Sequence, residues 1–305
     1  MKLSIIIPIY YNENNLKVLY EDIKKKLIDI IDYEYEILMI DDGSKDNSYK
    51  VMKELSDIDS NIKIFKLSRN FGSHSAILCG LENSTGDCAV IKAADLQEPT
   101  EIIIDMVKEW QKGNNVVLAI RKDREEKKSV TFFANLYYWL VRKTALKNMP
   151  ENGFDIYLID RKVIKVLSLL DVNNSALTGQ ILWSGFKTGY VEYTRKTREI
   201  GNSKWTLQKK IKLVSDTLFS FSTLPITVVE IIGTISFVGA IIWALTVLIF
   251  KLLGKIDVTG WTTLFIFSLF SFGIIMLTLG ILGEYLWRTF DSSRKRPTYI
   301  IEDKE

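Results

Sequence analysis

The sequence has few of the side chains that build disulfide frameworks and zinc sites. Its 305 residues include two cysteines, Cys79 and Cys88, and a single histidine, His74. The cysteines stand among apolar or small residues and show no CxxC or Cys/His spacing, which argues against a disulfide framework or a zinc site. The single histidine excludes any metal site built from several histidines.

A strong net charge and a glycine-rich phosphate loop are also missing. Both signs of charge are plentiful, and the formal net charge is only +3. This balance gives no indication of a nucleic-acid partner. No GxGxxG or GxxxxGKS motif is present, which excludes the two common glycine-rich phosphate cradles.

Charged residues are absent from two long apolar stretches, Ile231–Phe250 and Thr262–Gly283. Because a hydrocarbon core about 30 Å thick requires about 20 apolar residues in a helix, they predict transmembrane helices at about 228–250 and 262–285, within a membrane region at 226–287. The N-terminal apolar run is too short for a signal peptide. We therefore expect the head, residues 1–205, to stay in the cytosol.

Basic residues flank this apolar pair on both sides. The range 187–212 has eight Lys or Arg against two Glu, whereas the connection between the two stretches has only Lys251 and Lys255. The tail at 288–305 is basic as well. The positive-inside rule then predicts a multi-pass protein of the cytoplasmic (inner) membrane, with the head and both termini in the cytosol.

The segment at 206–225 links the head to the membrane. From Thr206 to Phe221, apolar residues recur at helical spacing opposite Lys209, Lys210 and Lys212. This pattern predicts an amphipathic juxtamembrane helix at the level of the lipid headgroups. A helix packed on protein with one solvated face is the alternative.

The head alternates strand-like and helical patterns. Leu3–Ile9 is an isoleucine-rich run of strand length, and Glu13–Ile31 has apolar residues at helical spacing. The alternation continues to Ile120, and a further helix is predicted at Val130–Leu146. Strands separated by helices of this length predict an α/β fold with a mainly parallel sheet covered on both faces.

Two acidic turns follow predicted strands. Asp41-Asp42-Gly43-Ser44 comes after Tyr35–Ile40, and Asp95-Leu96-Gln97-Glu98-Pro99 comes after Cys88–Lys92. Ligands of open parallel sheets bind beyond the carboxyl ends of the strands, and carboxylate oxygens suit Mg²⁺ or Mn²⁺ when phosphate and water complete the coordination. Each turn alone could be an ordinary surface turn. Together they favour a nucleotide that is held through a metal ion.

Five motifs occur along the chain in one order: Pro8-Ile9-Tyr10-Tyr11-Asn12-Glu13, Asp41-Asp42-Gly43-Ser44, Ser68-Arg69-Asn70-Phe71-Gly72, Asp95-Leu96-Gln97 and Gly201-Asn202-Ser203-Lys204. In this order they resemble the family 2 inverting glycosyltransferases with a Rossmann-like GT-A fold. The resemblance is to the polyprenyl-phosphate branch, which includes dolichyl-phosphate mannose synthase and the bactoprenol glucosyltransferases. It covers essentially the whole chain, because the bactoprenol enzymes also end in two spans and a basic tail.

The resemblance implies roles for residues in these motifs. It assigns Asp95 and Gln97 to a Mg²⁺ or Mn²⁺ ion that holds the diphosphate of a nucleotide sugar. Ala93 replaces the first acid of the family's DxD element, so the metal depends more on Asp95, Gln97 and the substrate. The residues implied to line the nucleotide-sugar pocket are Pro8, Tyr10, Glu13, Asp41, Asp42 and Arg69.

Basic residues are expected to hold the acceptor, because Arg binds phosphate through two hydrogen bonds and Lys supplies a point charge. The family's RxxGxSK element corresponds to Arg198–Lys204. Arg198 and Lys204 are expected to act with Asp95 in catalysis. The residues predicted to bind an acceptor phosphate are Arg121, Arg124, Arg198, Ser203 and Lys204. Solvated loop charges without a ligand are the alternative.

The sequence offers no convincing catalytic base. A phosphate acceptor needs none, because its second ionisation lies near about pH 6. We therefore predict inverting transfer of one sugar from a UDP- or GDP-sugar to undecaprenyl (bactoprenyl) or dolichyl phosphate at the cytosolic membrane face. The product would serve cell-surface glycan, lipopolysaccharide or teichoic acid modification after a separate flippase moves it. The resemblance also implies a homo-oligomer, such as a tetramer.

Two other functions remain open from the sequence. One is a processive polysaccharide synthase, although Gln180-Ile181-Leu182-Trp183 is not the QxxRW-type acceptor motif of such enzymes. The other is an inactive, membrane-tethered binding or scaffold protein, for which Ala93 is the best support.

Overall fold

The computed structural model describes residues 1–122, 138–151, 153–170, 176–194, 207–254 and 260–305. Within these ranges the chain forms two compact units. The first comprises Met1–Thr217 together with Pro297–Glu305, and the second comprises Leu218–Arg296. The first unit has the predicted α/β fold with a mainly parallel sheet, which confirms that expectation.

Strands and helices alternate through the first unit. The strands are β1 (Lys2–Ile9), β2 (Glu34–Asp41), β3 (Ile62–Leu67), β4 (Cys88–Ile91), β5 (Val116–Arg121), β6 (Phe154–Asp160), β7 (Thr188–Tyr193) and β8 (Ile301–Lys304). The helices are α1 (Leu16–Ile23, continued by a π-helical turn at Lys24–Ile28), α2 (Ser48–Ser56), α3 (Ser73–Asn83), α4 (Ile102–Gln111), α5 (138–144), α6 (Arg161–Leu169), α7 (Leu177–Trp183) and α8 (Leu207–Phe221), whose last four residues belong to the second unit.

Element boundaries differ from prediction where a turn intervenes. The first helix begins at Leu16 rather than Glu13, because the Asn15 N–H bonds to the Asn12 carbonyl and closes a turn there. The start of the helix predicted at Val130–Leu146 lies outside the described residues, and residues 138–144 are helical.

β1 lies in the interior of the sheet. In the described parts of the chain the strand order is β7-β5-β6-β4-β1-β2-β3-β8. β4, β1, β2 and β3 are parallel to one another, whereas β6 and β8 are antiparallel to their neighbours. Residues Leu3–Ile7 of β1 are all buried. A parallel strand covered on both faces needs such a predominantly apolar sequence, and Ser4 is the one polar residue among these five.

The two ladders of β1 differ in length. β1 and β2 pair until Ile9 stands opposite Asp41, whereas β1 and β4 pair only until Ile6 stands opposite Ile91. Pro8 lies beyond that last pair, where its missing N–H removes no bond from the β1–β4 ladder. The β1–β4 ladder therefore stops before β1 does, at the edge where such sheets bind ligands.

Residues near the C-terminus add a strand that the sequence analysis did not predict. β8 pairs antiparallel with β3 and covers its edge. The Tyr49 hydroxyl donates to the Asp303 carboxylate at 2.8 Å, and Lys66 Nζ lies 2.8 Å from Glu302. β8 has only one apolar residue in Ile-Glu-Asp-Lys, so hydrophobic periodicity gave no signal.

The second unit contains two long apolar helices, α9 (Leu224–Leu252) and α10 (Trp261–Ser293). Both are long and apolar enough to cross a membrane. Large side chains on them are exposed, including Phe237 at 66% and Phe270 at 61%. The predicted pair is confirmed, although each helix extends beyond the predicted span, and the pair indicates association with a membrane.

A buried carboxylate joins the amino-terminal halves of β1, β2 and β3. Glu36 in β2 is 1% exposed. It accepts hydrogen bonds from the Ser4 hydroxyl (2.6 Å), the Lys63 ammonium (2.8 Å) and the Thr85 hydroxyl (2.9 Å), and also from the Gly86 N–H (3.2 Å). Burial alone would raise the pKa of Glu36, but these bonds lower it to about 2.

We expect Glu36→Gln to destabilise the head by about 3 kcal/mol near pH 7, because the neutral amide loses charge-assisted bonds. The folded-state pKa is depressed from 4.5, so this contribution is present above that pH and is lost as the pH falls toward 2. The gap in thermal midpoint between wild type and variant, measured in detergent, should shrink between about pH 5 and about pH 3. Glu34→Gln, exposed on the same strand, is the control and should not shift the midpoint. If the gap in thermal midpoint were the same at the lower pH, the low pKa assigned to Glu36 would be contradicted.

Candidate active site

Four loops follow the carboxyl ends of neighbouring parallel strands. They are residues 10–15 after β1, 42–47 after β2, 68–72 after β3 and 92–101 after β4. Because β4, β1, β2 and β3 are parallel and adjacent, all four loops emerge at one edge of the sheet. Both acidic turns predicted from the sequence therefore lie at that edge, as an open parallel sheet requires of a ligand site.

The loops after β1 and β2 are joined by hydrogen bonds. The Tyr11 N–H donates to the Ser44 hydroxyl at 2.9 Å, and the Asn47 N–H donates to the Glu13 carboxylate at 2.8 Å. Tyr11 has a left-handed backbone with φ 55°, which is strained for a bulky residue. Its ring meets the Tyr10 ring edge to face at 4.6 Å. Glu13 thus holds the β2 loop, and the two tyrosines present one aromatic cluster beside it.

Asp42 fixes the loop after β3. Its two carboxylate oxygens accept hydrogen bonds from the backbone N–H groups of Phe71 (2.7 Å) and Gly72 (2.9 Å). The guanidinium of Arg69 in this loop stacks on the Phe71 ring at 4.0 Å. Gly43 lets the loops approach, because a Cβ there would lie 2.5 Å from the Arg69 carbonyl carbon. Asp42 is therefore a structural link between the β2 and β3 loops and positions Arg69.

Asp41 is a buried carboxylate whose hydrogen bonds are incomplete. Oδ1 accepts a hydrogen bond from the Ser44 N–H at 3.0 Å. Oδ2 is buried and has no hydrogen-bond partner among the described residues. Burial raises the pKa of Asp41. A buried acceptor without a donor is costly, so this oxygen is suited to an N–H or O–H group of a ligand.

The turn that carries Asp95 and Gln97 is narrow and strained. The Gln97 N–H donates to Asp95 Oδ1 at 3.3 Å, and Leu96 between them has φ 59°. Part of the strain is offset because Leu96 packs against the core. The turn therefore places one carboxylate and one amide side chain two residues apart at the carboxyl end of β4.

These residues fit a divalent cation that takes most of its ligands from elsewhere. No group of three or more His, Cys, Asp or Glu side chains in the described part of the chain is placed to hold a metal. Asp95 and Gln97 supply hard oxygen donors, as Mg²⁺ and Mn²⁺ prefer. Mg²⁺ commonly uses one or two protein carboxylates together with substrate phosphates and water. The donor set suits a metal that binds with a diphosphate.

Two buried charged residues behind this turn were missed in the sequence. Lys92, directly after β4, is 1% exposed, and Glu98 is 5% exposed. The Lys92 ammonium donates to the Glu98 carbonyl, and the Ala93 N–H donates to Glu98 Oε2 at 3.3 Å. A lysine that ends an otherwise apolar strand was the signal that could have pointed to this pair.

The predicted acceptor residues divide between described and undescribed parts of the chain. β6 is antiparallel to both β4 and β5, so β5 is parallel to β4 and its carboxyl end lies at the site edge. Arg121 is the last residue of β5, opposite Tyr193 of β7. The structure thus brings Arg121 to the same edge as Asp95. The predicted residues that lie outside the described ranges are Arg124, Arg198, Ser203 and Lys204.

Comparison with known proteins identifies the family of enzymes whose sequences this chain resembles. Residues 4–167 match the family model described as glycosyl transferase family 2. The chain is 36% identical to an uncharacterized glycosyltransferase, YkcC, of Bacillus subtilis, over 98% of this chain and 93% of that protein. It is 32% identical to the bactoprenol glucosyl transferase of Shigella phage SfV, over 100% of this chain and 99% of that protein.

The solved structures give a more distant match. The chain is similar to S. aureus TarS in complex with UDP-GlcNAc, with a TM-score of 0.49 and 16% identity over 72% of this chain and 67% of that one. The family model spans more than half of the chain and contains all four loops of the site. The chain therefore belongs to glycosyl transferase family 2 and is a glycosyltransferase.

Proposed function

We propose that the protein transfers one sugar, with inversion, from a UDP- or GDP-sugar to a polyprenyl phosphate such as undecaprenyl phosphate. The observation that carries the proposal is the alignment of the phage SfV bactoprenol glucosyl transferase with 100% of this chain. A relative that shared only the head would support nucleotide-sugar chemistry and would not bear on the acceptor. An alignment that includes both apolar helices supports a lipid acceptor as well.

The nucleotide part of the donor is assigned to the loops after β1, β2 and β3. The buried Asp41 Oδ2 can accept a hydrogen bond from a base N–H or a ribose hydroxyl. The Tyr10 ring offers an aromatic surface for the base, and Arg69 offers a guanidinium for the phosphates. Pro8, Glu13 and Asp42 shape this pocket, since they lie in or hold these same loops.

The diphosphate is assigned to the loop after β4. Asp95 and Gln97 would hold a Mg²⁺ or Mn²⁺ ion through one carboxylate oxygen and one amide oxygen. When bound, such an ion neutralises charge on the leaving diphosphate. The contribution of the chain is to keep the two side chains adjacent, through the turn centred on Leu96.

The acceptor phosphate is assigned to Arg121 and to four predicted residues that lie outside the described ranges. Arg121 at the end of β5 would bind it together with Arg124, Arg198, Ser203 and Lys204. The attacking phosphate oxygen is already anionic near neutral pH, so positioning and charge neutralisation replace a base. Arg198 and Lys204 would lower the repulsion between the acceptor and the donor diphosphate.

The C-terminal strand supports a position of the head and the C-terminal residues on the same side of the membrane, which the positive-inside rule predicts to be the cytosol. β8 belongs to the sheet of the first unit, although α9 and α10 precede it in the sequence. A chain that crosses a membrane and returns to the same sheet must cross an even number of times. Two crossings by α9 and α10 satisfy this condition. The sugar would then be added inside, and a separate flippase would move the product.

The first prediction from the proposed function concerns the product. Purified protein in detergent, incubated with radiolabelled UDP- and GDP-sugars, Mg²⁺ or Mn²⁺ and undecaprenyl phosphate, should transfer label to the lipid phase. Mass spectrometry should find one sugar on each lipid phosphate. A polymeric product would favour a processive synthase, and nucleotide binding without transfer of any common sugar would favour an inactive binding protein.

The second prediction concerns the metal loop. Asp95→Asn should reduce transfer by about 100-fold or more, because the amide cannot neutralise a divalent cation as a carboxylate does. The thermal midpoint should stay within a few degrees of wild type. Asp105→Asn, at an exposed position of α4, is the matched control and should keep full activity. Wild-type turnover in Asp95→Asn would refute the metal assignment.

The third prediction concerns orientation. A membrane-impermeant maleimide should label Lys255→Cys in intact cells, because the connection between the helices is expected outside. Lys165→Cys, exposed on α6, and a cysteine added after Glu305 should react only after permeabilisation. The native Cys79 and Cys88 are buried and should give little background. Labelling of the added C-terminal cysteine in intact cells would overturn the assigned topology.

A further inference from the structure

The largest fully buried side chain near the site belongs to a lysine. Lys92 is 1% exposed and directly follows β4. Burying an ammonium group is costly unless its charge is compensated and its protons are bonded. Burial lowers the pKa of Lys92, and the negative charges of Glu98, Asp22 and Asp95 act against that shift. The contacts of the Lys92 ammonium group indicate why such a costly burial is kept beside the proposed metal loop.

The contacts of Lys92 close the loop that carries the proposed metal ligands. Its backbone N–H donates to the Ile6 carbonyl at 2.9 Å, which extends the sheet to the start of the loop. Its ammonium donates to the Glu98 carbonyl at the far end of the loop. Hydrogen bonds from a charged donor are stronger than those between neutral groups. Lys92 thus joins the two ends of the segment 93–98.

Three further hydrogen bonds to residues of this segment are long. The Ala93 N–H to Glu98 Oε2 and the Gln97 N–H to Asp95 Oδ1 are both 3.3 Å. The Asn15 side-chain amide reaches the Ala94 carbonyl, also at 3.3 Å. Leu96 holds a left-handed conformation at φ 59°, which persists only where the surroundings enforce it. The Lys92 bond is a charged contact that can enforce this conformation.

Asp22, an acidic residue near Lys92, also has other hydrogen-bond and ion-pair partners. Asp22 accepts a hydrogen bond from the Thr100 hydroxyl and lies 2.7 Å from Lys26 Nζ. Burial would raise the pKa of Asp22, but its bonds to Lys26 and Thr100 lower it. The positive charge of Lys92 offsets the negative charges of Glu98, Asp22 and Asp95 around the turn.

We propose that Lys92 is a positioning residue that holds the 93–98 loop in the conformation in which Asp95 and Gln97 can bind one divalent cation. The inference deepens the proposed function and rests on its metal loop. Positioning by Lys92 matters more because Ala93 supplies no carboxylate. A loop with two acids could be ordered by binding the metal itself. With one carboxylate and one amide, the loop must be formed in advance by the protein.

The test compares Lys92→Met with wild type in detergent-solubilised full-length protein. Isothermal titration calorimetry would measure the apparent Mn²⁺ affinity at saturating UDP and, separately, at saturating GDP. We expect Lys92→Met to weaken Mn²⁺ binding by about tenfold to 100-fold, the range typical of residues that orient metal ligands. Affinity for the nucleotide without metal should change less than threefold, because the β1 and β2 loops are untouched.

Two further variants separate positioning from loss of stability. Leu167→Ala removes a buried side chain on α6, away from the loop, and should lower the thermal midpoint while keeping Mn²⁺ affinity. Lys92→Met with Glu98→Gln removes both charges, so we expect the double variant to fold even if the single variant does not. The double variant should still lose Mn²⁺ affinity, because the bond to the Glu98 carbonyl is gone.

The outcomes are distinct. Wild-type Mn²⁺ affinity in the double variant, or equal losses of metal-free and metal-dependent nucleotide binding, would overturn the role of Lys92. The same holds if wild type binds no Mn²⁺ with either nucleotide. Failure of wild type to glycosylate undecaprenyl phosphate while it binds Mn²⁺ with UDP or GDP would overturn the proposed acceptor and leave the Lys92 result valid.

Discussion

The site depends on the parallel pairing of β4, β1, β2 and β3, with β1 and β2 between the other two strands. Parallel pairing sends all four carboxyl ends to one edge, so the loops that follow can share ligands. The register of β1 and β2 also brings their loops together, since Ile9 at the end of β1 stands opposite Asp41 at the end of β2. A sheet with β1 reversed would place its loop at the opposite edge from both acidic turns.

Buried charged residues occur near both ends of these strands, and their hydrogen bonding differs between the two ends. Near the amino ends, Glu36 is surrounded by donors and stabilises the sheet. At the carboxyl ends, Asp41 keeps an oxygen without a partner among the described residues, and Lys92 is buried against a strained loop. The sheet thus buries a fully hydrogen-bonded carboxylate where it holds the fold, and at the ligand edge it buries a carboxylate with one oxygen that has no partner among the described residues. This contrast is typical of a site that accepts polar groups of a substrate.

Much of this arrangement could be predicted from sequence because it rests on local patterns. Predominantly apolar runs such as Leu3–Ile9 specify buried parallel strands, and the acidic turns follow such strands directly. The strand β8 could not be predicted, since its pairing with β3 depends on long-range contacts such as Tyr49 to Asp303. The structural role of Asp42, and the burial of Lys92, likewise depend on which loops meet in space.

The absent acid at Ala93 has a consequence for the order of binding in the proposed reaction. One carboxylate and one amide oxygen give a weak site for a free divalent cation, whereas a diphosphate adds charged oxygen ligands. Metal and nucleotide sugar should then strengthen each other's binding by the same factor, as linkage requires. An enzyme of this kind would hold little metal between turnovers. The site would be completed only when the donor arrives.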